Sequence, residues 1–77
     1  MDIKVLGSGC SRCHAAHEIV KSVVAENNVD ATVEYVDDIV QVMNYNVMSM
    51  PAIVIDGEVR FKGSVPTRTQ VKELLGL

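Results

Sequence analysis

Two cysteines separated by two residues, Cys10 and Cys13, are the side chains of this 77-residue sequence best suited to covalent chemistry. They follow an apolar run and a Gly-Ser-Gly turn, at the point where a helical pattern begins. A helix N-terminus presents unpaired backbone N–H groups and the positive end of the helix dipole, which stabilise a thiolate. Arg12 adds a cation beside the pair. Such surroundings lower the pKa of a cysteine from about 8.5 to roughly 3.5–7.5, so the motif predicts a reactive thiol.

The spacing of the two cysteines suits disulfide exchange. Two intervening residues correspond to about one helical turn, which brings both sulfurs within reach of each other with little movement of the backbone. Cys10 lies at the end of the predicted helix and is expected to be exposed, whereas Cys13 lies inside the first turn and is expected to be shielded. We therefore predict that Cys10 is the attacking thiolate and Cys13 the resolving thiol.

The first half of the chain is predicted to form two strands and two helices around this motif. Residues 3–6 form an apolar strand, and residues 11–26 form a helix whose apolar residues recur at three- and four-residue steps. Residues 31–35 alternate between apolar and polar, as in a second strand. Asp37 or Asp38 is expected to cap a second helix, although residues 36–39 could instead form a hairpin turn. The apolar positions of this helix are Ile39, Val42, Met43 and Val47, with Met43 expected in the core.

The second half is predicted to form a hairpin followed by a helix. Residues 52–55 are a buried strand, and Asp56-Gly57 is a strong hairpin turn leading into a strand at residues 58–62. Thr67 and Gln70 have the spacing of a capping box for the last helix, with Val71, Leu74 and Leu75 on its buried face. A strand–helix–strand start implies a right-handed crossover and a parallel strand pair. We therefore predict one α/β domain over residues 1–77, with a four-stranded mixed sheet and three helices.

Composition and charge exclude several classes of function. The net charge is −3 and the basic residues are scattered, which argues against nucleic acid as a ligand. No apolar stretch approaches the ~20 residues that span a bilayer, and no basic leader precedes the first strand, so we expect a cytoplasmic protein without a membrane anchor. In a reducing compartment, paired cysteines are more often catalytic or metal-binding than a structural disulfide.

The motif Cys10-Ser11-Arg12-Cys13 after the first strand, together with Met50-Pro51 before the third, resembles the thioredoxin fold. The order of the elements and the Asp-Gly hairpin also match, and the resemblance is greatest to the very small redox-active disulfide proteins of archaea and bacteria. It implies that Pro51 is cis and lies against the cysteine pair, and that the backbone of Met50 pairs with the substrate. Met48 is a further candidate for substrate contact, because thioethers adapt to varied partners.

This resemblance implies a thiol–disulfide oxidoreductase that reduces protein disulfides. Cys10 would attack the substrate, a mixed disulfide would form, and Cys13 would displace the product. We expect a monomer. We also expect no bound cofactor, because 77 residues are too few to hold a flavin or a nicotinamide. An upstream disulfide reductase, similar to thioredoxin reductase, is then the partner that restores the dithiol.

The sequence departs from the larger members of this superfamily. Those proteins carry Trp-Cys-Gly-Pro-Cys and a buried acid in the preceding strand, where this chain has Lys4, so no carboxylate base for Cys13 is visible. Glutaredoxins carry a Gly-Gly pair after the hairpin that helps to hold glutathione. This chain has Lys62-Gly63-Ser64 there, so direct use of glutathione is not expected.

A metal site is the main alternative to redox chemistry. His14 and His17 each follow a cysteine by four residues, and two thiolates with two imidazoles are an acceptable zinc ligand set. However, the two histidines lie on one short stretch of helix and point in different directions around it, so a closed tetrahedral zinc site is hard to build. Both are expected to face solvent. Haem attachment through Cys10-x-x-Cys13-His14 would need export, and the order of elements does not fit a copper-chaperone domain. A cytosolic thiol-based metal-binding or metal-delivery protein remains the alternative function.

Overall fold

Four strands and three helices follow one another along the chain in the order that the sequence predicts. The computed structural model describes all 77 residues. Its elements are β1 (Asp2–Leu6), α1 (Ser11–Glu26), β2 (Thr32–Val36), α2 (Ile39–Met43), β3 (Ala52–Ile55), β4 (Glu58–Lys62) and α3 (Arg68–Leu74). None of the helices is both long enough and apolar enough to cross a membrane.

The four strands form one mixed sheet in the order β2-β1-β3-β4. β1 runs parallel to β2, with Val5 opposite Tyr35, and antiparallel to β3, with Val5 opposite Ile53. The parallel pair with α1 as its crossover confirms the predicted strand–helix–strand unit. Because β1 lies between β2 and β3, the cysteine motif that follows it is placed at the middle of the end of the sheet at which β1 terminates.

The Asp-Gly turn joins β3 to β4 as predicted. Asp56 and Gly57 both have positive φ, at 51° and 85°, which is the backbone that a two-residue hairpin of type I′ requires. The carboxylate of Asp56 also accepts a hydrogen bond of 2.9 Å from the backbone N–H of Asp2. The hairpin is therefore fixed to the start of β1 as well as closed on itself.

The two faces of the sheet bury two separate apolar clusters. Alternate residues of β1 and β3 point to opposite faces, as the period of two in a strand requires. One face packs against α1 and α3, and its buried residues are Ile3, Val5, Ala16, Val20, Val23, Ile53, Ile55, Val71 and Leu75. The other face packs against α2, and its buried residues are Leu6, Val36, Val42, Ala52 and Val54.

The predicted helix caps are confirmed. Asp38 begins α2, because its side chain accepts a hydrogen bond of 2.9 Å from the N–H of Val40. The alternative of a hairpin turn at residues 36–39 is therefore wrong. At α3, Thr67 and Gln70 form both hydrogen bonds of the capping box, with lengths of 2.9 and 3.1 Å. Each cap satisfies backbone N–H groups that have no partner inside the helix.

The apolar face predicted for the second helix is wrong at two of its four positions, whereas Val42 is buried and Val47, beyond the end of α2, packs half-buried against the same cluster. Met43 was expected in the core and Ile39 on the buried face, yet each is 67% exposed, and only Val42 is buried. The reason is the length of α2, which has five residues and so makes little more than one turn. A single turn directs only one position in three or four at the sheet. The remaining apolar side chains are left on the surface.

Candidate active site

The two cysteines lie at the junction between β1 and α1. Cys10 is the N-cap residue of α1, with extended backbone (φ −77°, ψ 165°), and Cys13 lies in the first turn. Both are free thiols, and their sulfur atoms are 2.9 Å apart. Cys10 is exposed and Cys13 is completely buried, as the position of each in the helix predicts. The assignment of attack to Cys10 and of resolution to Cys13 stays a prediction.

The surroundings of Cys10 favour its thiolate. The neighbouring Cys13, first through its thiol and then through its backbone N–H, lowers the pKa of Cys10 to about 7, against a smaller opposing effect of desolvation. The Ser8 hydroxyl and the backbone N–H of Arg12 make smaller contributions to the same lowering. About half of the Cys10 thiols are thus ionised at neutral pH, where the thiolate is the nucleophile.

The rate of Cys10 alkylation should therefore follow a titration centred near pH 7. Below that value the rate should rise about tenfold per pH unit, and above pH 8 it should level off, because only the thiolate reacts. The measurement is the pH dependence of iodoacetamide modification of the reduced protein, followed by intact mass. Cys10→Ser should remove this phase and leave the slow reaction of the buried Cys13. Two thiols that both titrate at or above about 8.5 would contradict the assignment.

Arg12 acts differently from the expectation drawn from the sequence. Its contribution to the pKa of Cys10 runs through the backbone N–H, and its guanidinium instead donates a hydrogen bond of 3.3 Å to the carbonyl of Gly63. Gly63 in turn donates from its N–H to the carbonyl of Pro51, at 3.0 Å. The Arg12 side chain thereby connects the cysteine turn to the segment after β4 and, through it, to Pro51.

Pro51 lies at the same end of the sheet as the cysteine turn. Leu6 pairs with Ala52 in the antiparallel ladder, so Gly7 and Pro51 are the next residues beyond it. The bond between Met50 and Pro51 is cis, as the resemblance implies, and Pro51 is buried. Met50 is half-buried against the cluster beneath α2, and Met48 is 97% exposed. The structure thus leaves Met48 free to contact another molecule, while its role and that of Met50 stay predictions.

Gly7 is a site residue that the sequence analysis did not single out. A Cβ at this position would lie 2.6 Å from both the Cβ of Cys13 and the hydroxyl oxygen of Tyr35, and 2.9 Å from the sulfur of Cys13. No larger residue fits without moving its neighbours. The sequence marked the segment only as a turn, because the crowding comes from residues that are distant along the chain.

Tyr35 is the second residue that the sequence analysis missed. Its hydroxyl accepts a hydrogen bond of 2.9 Å from the N–H of Gly9, the residue before Cys10. Its ring lies 5.2 Å from the rings of both His14 and His17, with the first pair stacked. The available indication was its place near the end of β2, because parallel neighbouring strands end at the same edge of a sheet.

The two histidines pack against Tyr35. His14 is exposed but stacked, and His17 is partly buried, which lowers its pKa, with Lys21 as the next cause. The prediction of two solvent-facing histidines is therefore correct for His14 and only partly correct for His17. No group of three or more histidine, cysteine or acidic side chains is arranged to hold a metal ion.

The mixed sheet, the free thiol pair at a helix N-terminus and the cis-proline at the same end of the sheet define a small α/β dithiol protein. Residues 1–76 match the family described as "Thioredoxin domain", so the chain belongs to the thioredoxin family. A thioredoxin of Methanocaldococcus jannaschii is 32% identical over 73 residues, which cover 95% of this chain and 84% of that protein. A thioredoxin of Methanothermobacter thermautotrophicus is 27% identical over 75 residues, which cover 97% of each chain. This membership confirms the resemblance and supports a function of the thiol–disulfide oxidoreductase type.

Proposed function

We propose that this protein reduces disulfide bonds of other proteins through Cys10 and Cys13. The observation that carries the proposal is the pair of free sulfurs 2.9 Å apart, one exposed and one buried, at the start of α1. An exposed thiol with a pKa of about 7 is suited to attack, and a second thiol within contact distance is suited to resolve the product.

The reaction transfers two electrons from the dithiol to the substrate. The Cys10 thiolate attacks one sulfur of the substrate disulfide, and the other substrate sulfur leaves as a thiolate and takes up a proton. The Cys13 thiol loses its proton and attacks Cys10, which releases the second substrate sulfur. The products are a Cys10–Cys13 disulfide and two substrate thiols. An upstream disulfide reductase of the thioredoxin-reductase type then returns two electrons to the pair, so the protein itself binds no cofactor.

The substrate is proposed to bind beside the cysteines at the segment before β3. Met48 offers an exposed apolar side chain there, and Met50 and Pro51 lie at the same end of the sheet as the cysteine turn. Arg12 supports this arrangement through its hydrogen bond to Gly63. We propose that residues 1–77 act as one thioredoxin-like domain, as a monomer and in the cytoplasm.

Reduction of insulin by dithiothreitol tests the proposal. The protein should shorten the time before insulin chains precipitate, and Cys10→Ser should return this time to that of dithiothreitol alone. Ile39→Gln, at an exposed position away from the depression that Met48 lines, is the matched control and should behave as the wild type. Unchanged activity in Cys10→Ser would refute the proposed reaction.

The metal content of the protein separates this function from metal binding. Protein purified under reducing conditions should hold well under one zinc or copper per chain, whereas a full equivalent retained on dialysis would favour metal binding.

A further inference from the structure

We propose that Tyr35 is a positioning residue for the cysteine pair: its hydroxyl holds the turn that presents Cys10 at the start of α1. The inference extends the proposed function. Only its significance for catalysis rests on that function. The reactivity of Cys10, on which the test depends, can be measured without any substrate protein.

Strand β2 holds the turn between β1 and α1 at two points. At its start, the N–H of Gly7 donates a hydrogen bond of 3.0 Å to the carbonyl of Val36. At its end, the N–H of Gly9 donates to the hydroxyl of Tyr35 at 2.9 Å. Gly9 has a φ of +84°, and there is open space where a Cβ would stand, so nothing contacts the residue on that side. The tyrosine hydroxyl is thus the contact that fixes the residue directly before Cys10.

Tyr35 also contacts the helix on the other side of Cys10. Its ring lies against His14 and His17, which belong to the first two turns of α1. One side chain therefore touches both the turn before the attacking cysteine and the helix after it. Since its ring is partly buried and packs against both histidines, its hydroxyl is presented at a defined position.

The same hydroxyl lies close to the buried cysteine. The point where a Cβ on Gly7 would stand is 2.6 Å from the Tyr35 oxygen and 2.9 Å from the sulfur of Cys13. Burial raises the pKa of Tyr35 by more than the hydrogen bond from Gly9 lowers it, so the hydroxyl stays neutral at the pH at which Cys10 ionises. A neutral group at this place fixes the geometry of the pair without placing a second negative charge beside the thiolate.

The reactivity of Cys10 depends on this geometry. Its pKa is lowered chiefly by the thiol and the backbone N–H of Cys13, and both effects require Cys10 to stay at the N-cap position. When Gly9 loses its hydrogen bond, the turn samples other conformations and the thiolate loses these partners for part of the time. The pKa of Cys10 then moves from about 7 toward the ordinary value of about 8.5.

Tyr35→Phe tests the inference, because it removes the hydroxyl and keeps the ring against the histidines. At pH 7 the rate of Cys10 alkylation should fall about three- to tenfold, because the pKa moves only part of the way: a complete return to about 8.5 would reduce the thiolate from about half to ~3%, roughly 16-fold. The midpoint of the pH profile should rise, and the dithiol–disulfide equilibrium with glutathione should shift. Tyr45→Phe is the matched control, because the other tyrosine of the chain packs on the opposite face of the sheet. It should leave profile and equilibrium unchanged.

A merely structural role would lower the melting temperature of Tyr35→Phe without moving the pH profile, and that result would overturn the inference. If the variant does not fold, a titration of the wild type by nuclear magnetic resonance decides. The Gly9 amide and the Tyr35 ring should then shift with the midpoint of Cys10 while Tyr45 does not, and their insensitivity would overturn it. A shifted profile in Tyr35→Phe, together with no insulin reduction by the wild type, would refute the proposed function alone.

Discussion

Cys13→Ser should convert the protein into a stable trap for disulfides. In the proposed reaction, the Cys10 thiolate forms a mixed disulfide with the substrate, and the Cys13 sulfur 2.9 Å away then breaks it. Intramolecular groups held in a reactive geometry act at effective concentrations of about 10⁵–10⁸ M, so no thiol in solution replaces Cys13 at a comparable rate. After brief exposure to a small-molecule disulfide at pH 7.5, intact mass should show nearly one adduct per chain, lasting for hours.

Cys10→Ser is the matched control for this experiment. Its remaining thiol is completely buried, so it should carry less than about a tenth of the adduct that Cys13→Ser carries. Tryptic mapping should place the adduct of Cys13→Ser on Cys10. Equal trapping by the two variants would show that both sulfurs are accessible. The division of roles between them, which depends on the burial of Cys13, would then be wrong.

Gly7→Ala should destabilise the fold more than any other single methyl group added to a glycine. The new Cβ would stand 2.6 Å from the Cβ of Cys13 and 2.6 Å from the hydroxyl oxygen of Tyr35. Both distances are shorter than Cβ contacts in folded proteins, so the neighbouring atoms would have to move. Overpacking costs typically about 1–3 kcal/mol, against a total free energy of unfolding of about 4–12 kcal/mol for a domain of this size. At about 4–8 °C per kcal/mol for a domain of this size, we expect the melting temperature to fall by about 4–24 °C. Thermal unfolding of the reduced protein followed by circular dichroism measures it.

Two comparison variants separate crowding from other effects of an added methyl group. Gly57→Ala places a Cβ in open space at a φ of +85°, so it carries only the backbone strain of about 1 kcal/mol. Tyr35→Phe removes one of the two clashing groups, so Gly7→Ala should cost less stability in a Tyr35→Phe background than in the wild type. A loss in Gly7→Ala no larger than that in Gly57→Ala, or an equal cost of Gly7→Ala in both backgrounds, would contradict the crowding.

Features that depend on neighbours along the chain could be predicted from the sequence. The Asp56-Gly57 hairpin needs only the positive φ that these residues accept, and the cap at Thr67 needs only a partner three residues away. The cysteine motif belongs to the same class, because a turn followed by a helix places Cys10 at the N-terminus and Cys13 one turn later. Each of these depends on a few consecutive residues.

Features that depend on contacts across the sheet could not be predicted in the same way. Tyr35 meets the cysteine turn only because β2 is hydrogen-bonded to β1, and Gly7 is restricted only because Tyr35 and Cys13 fill the space beside it. The apolar face predicted for α2 is wrong at Ile39 and Met43 for a related reason. An apolar pattern shows which residues could share a face, but the length of the helix decides how many reach the sheet.

The order of the strands has a consequence for how the protein behaves at high concentration. β4 is an edge strand, and unpaired backbone groups at an edge invite pairing with another chain. Its exposed positions are the charged residues Glu58, Arg60 and Lys62, and a register shift interrupts the ladder between β3 and β4 beside Ile53 and Val54. Charged side chains and local irregularity both disfavour a flat strand-to-strand contact. The charged side chains and the irregular ladder of β4 therefore protect this small protein, which has few buried residues, from aggregation through this edge.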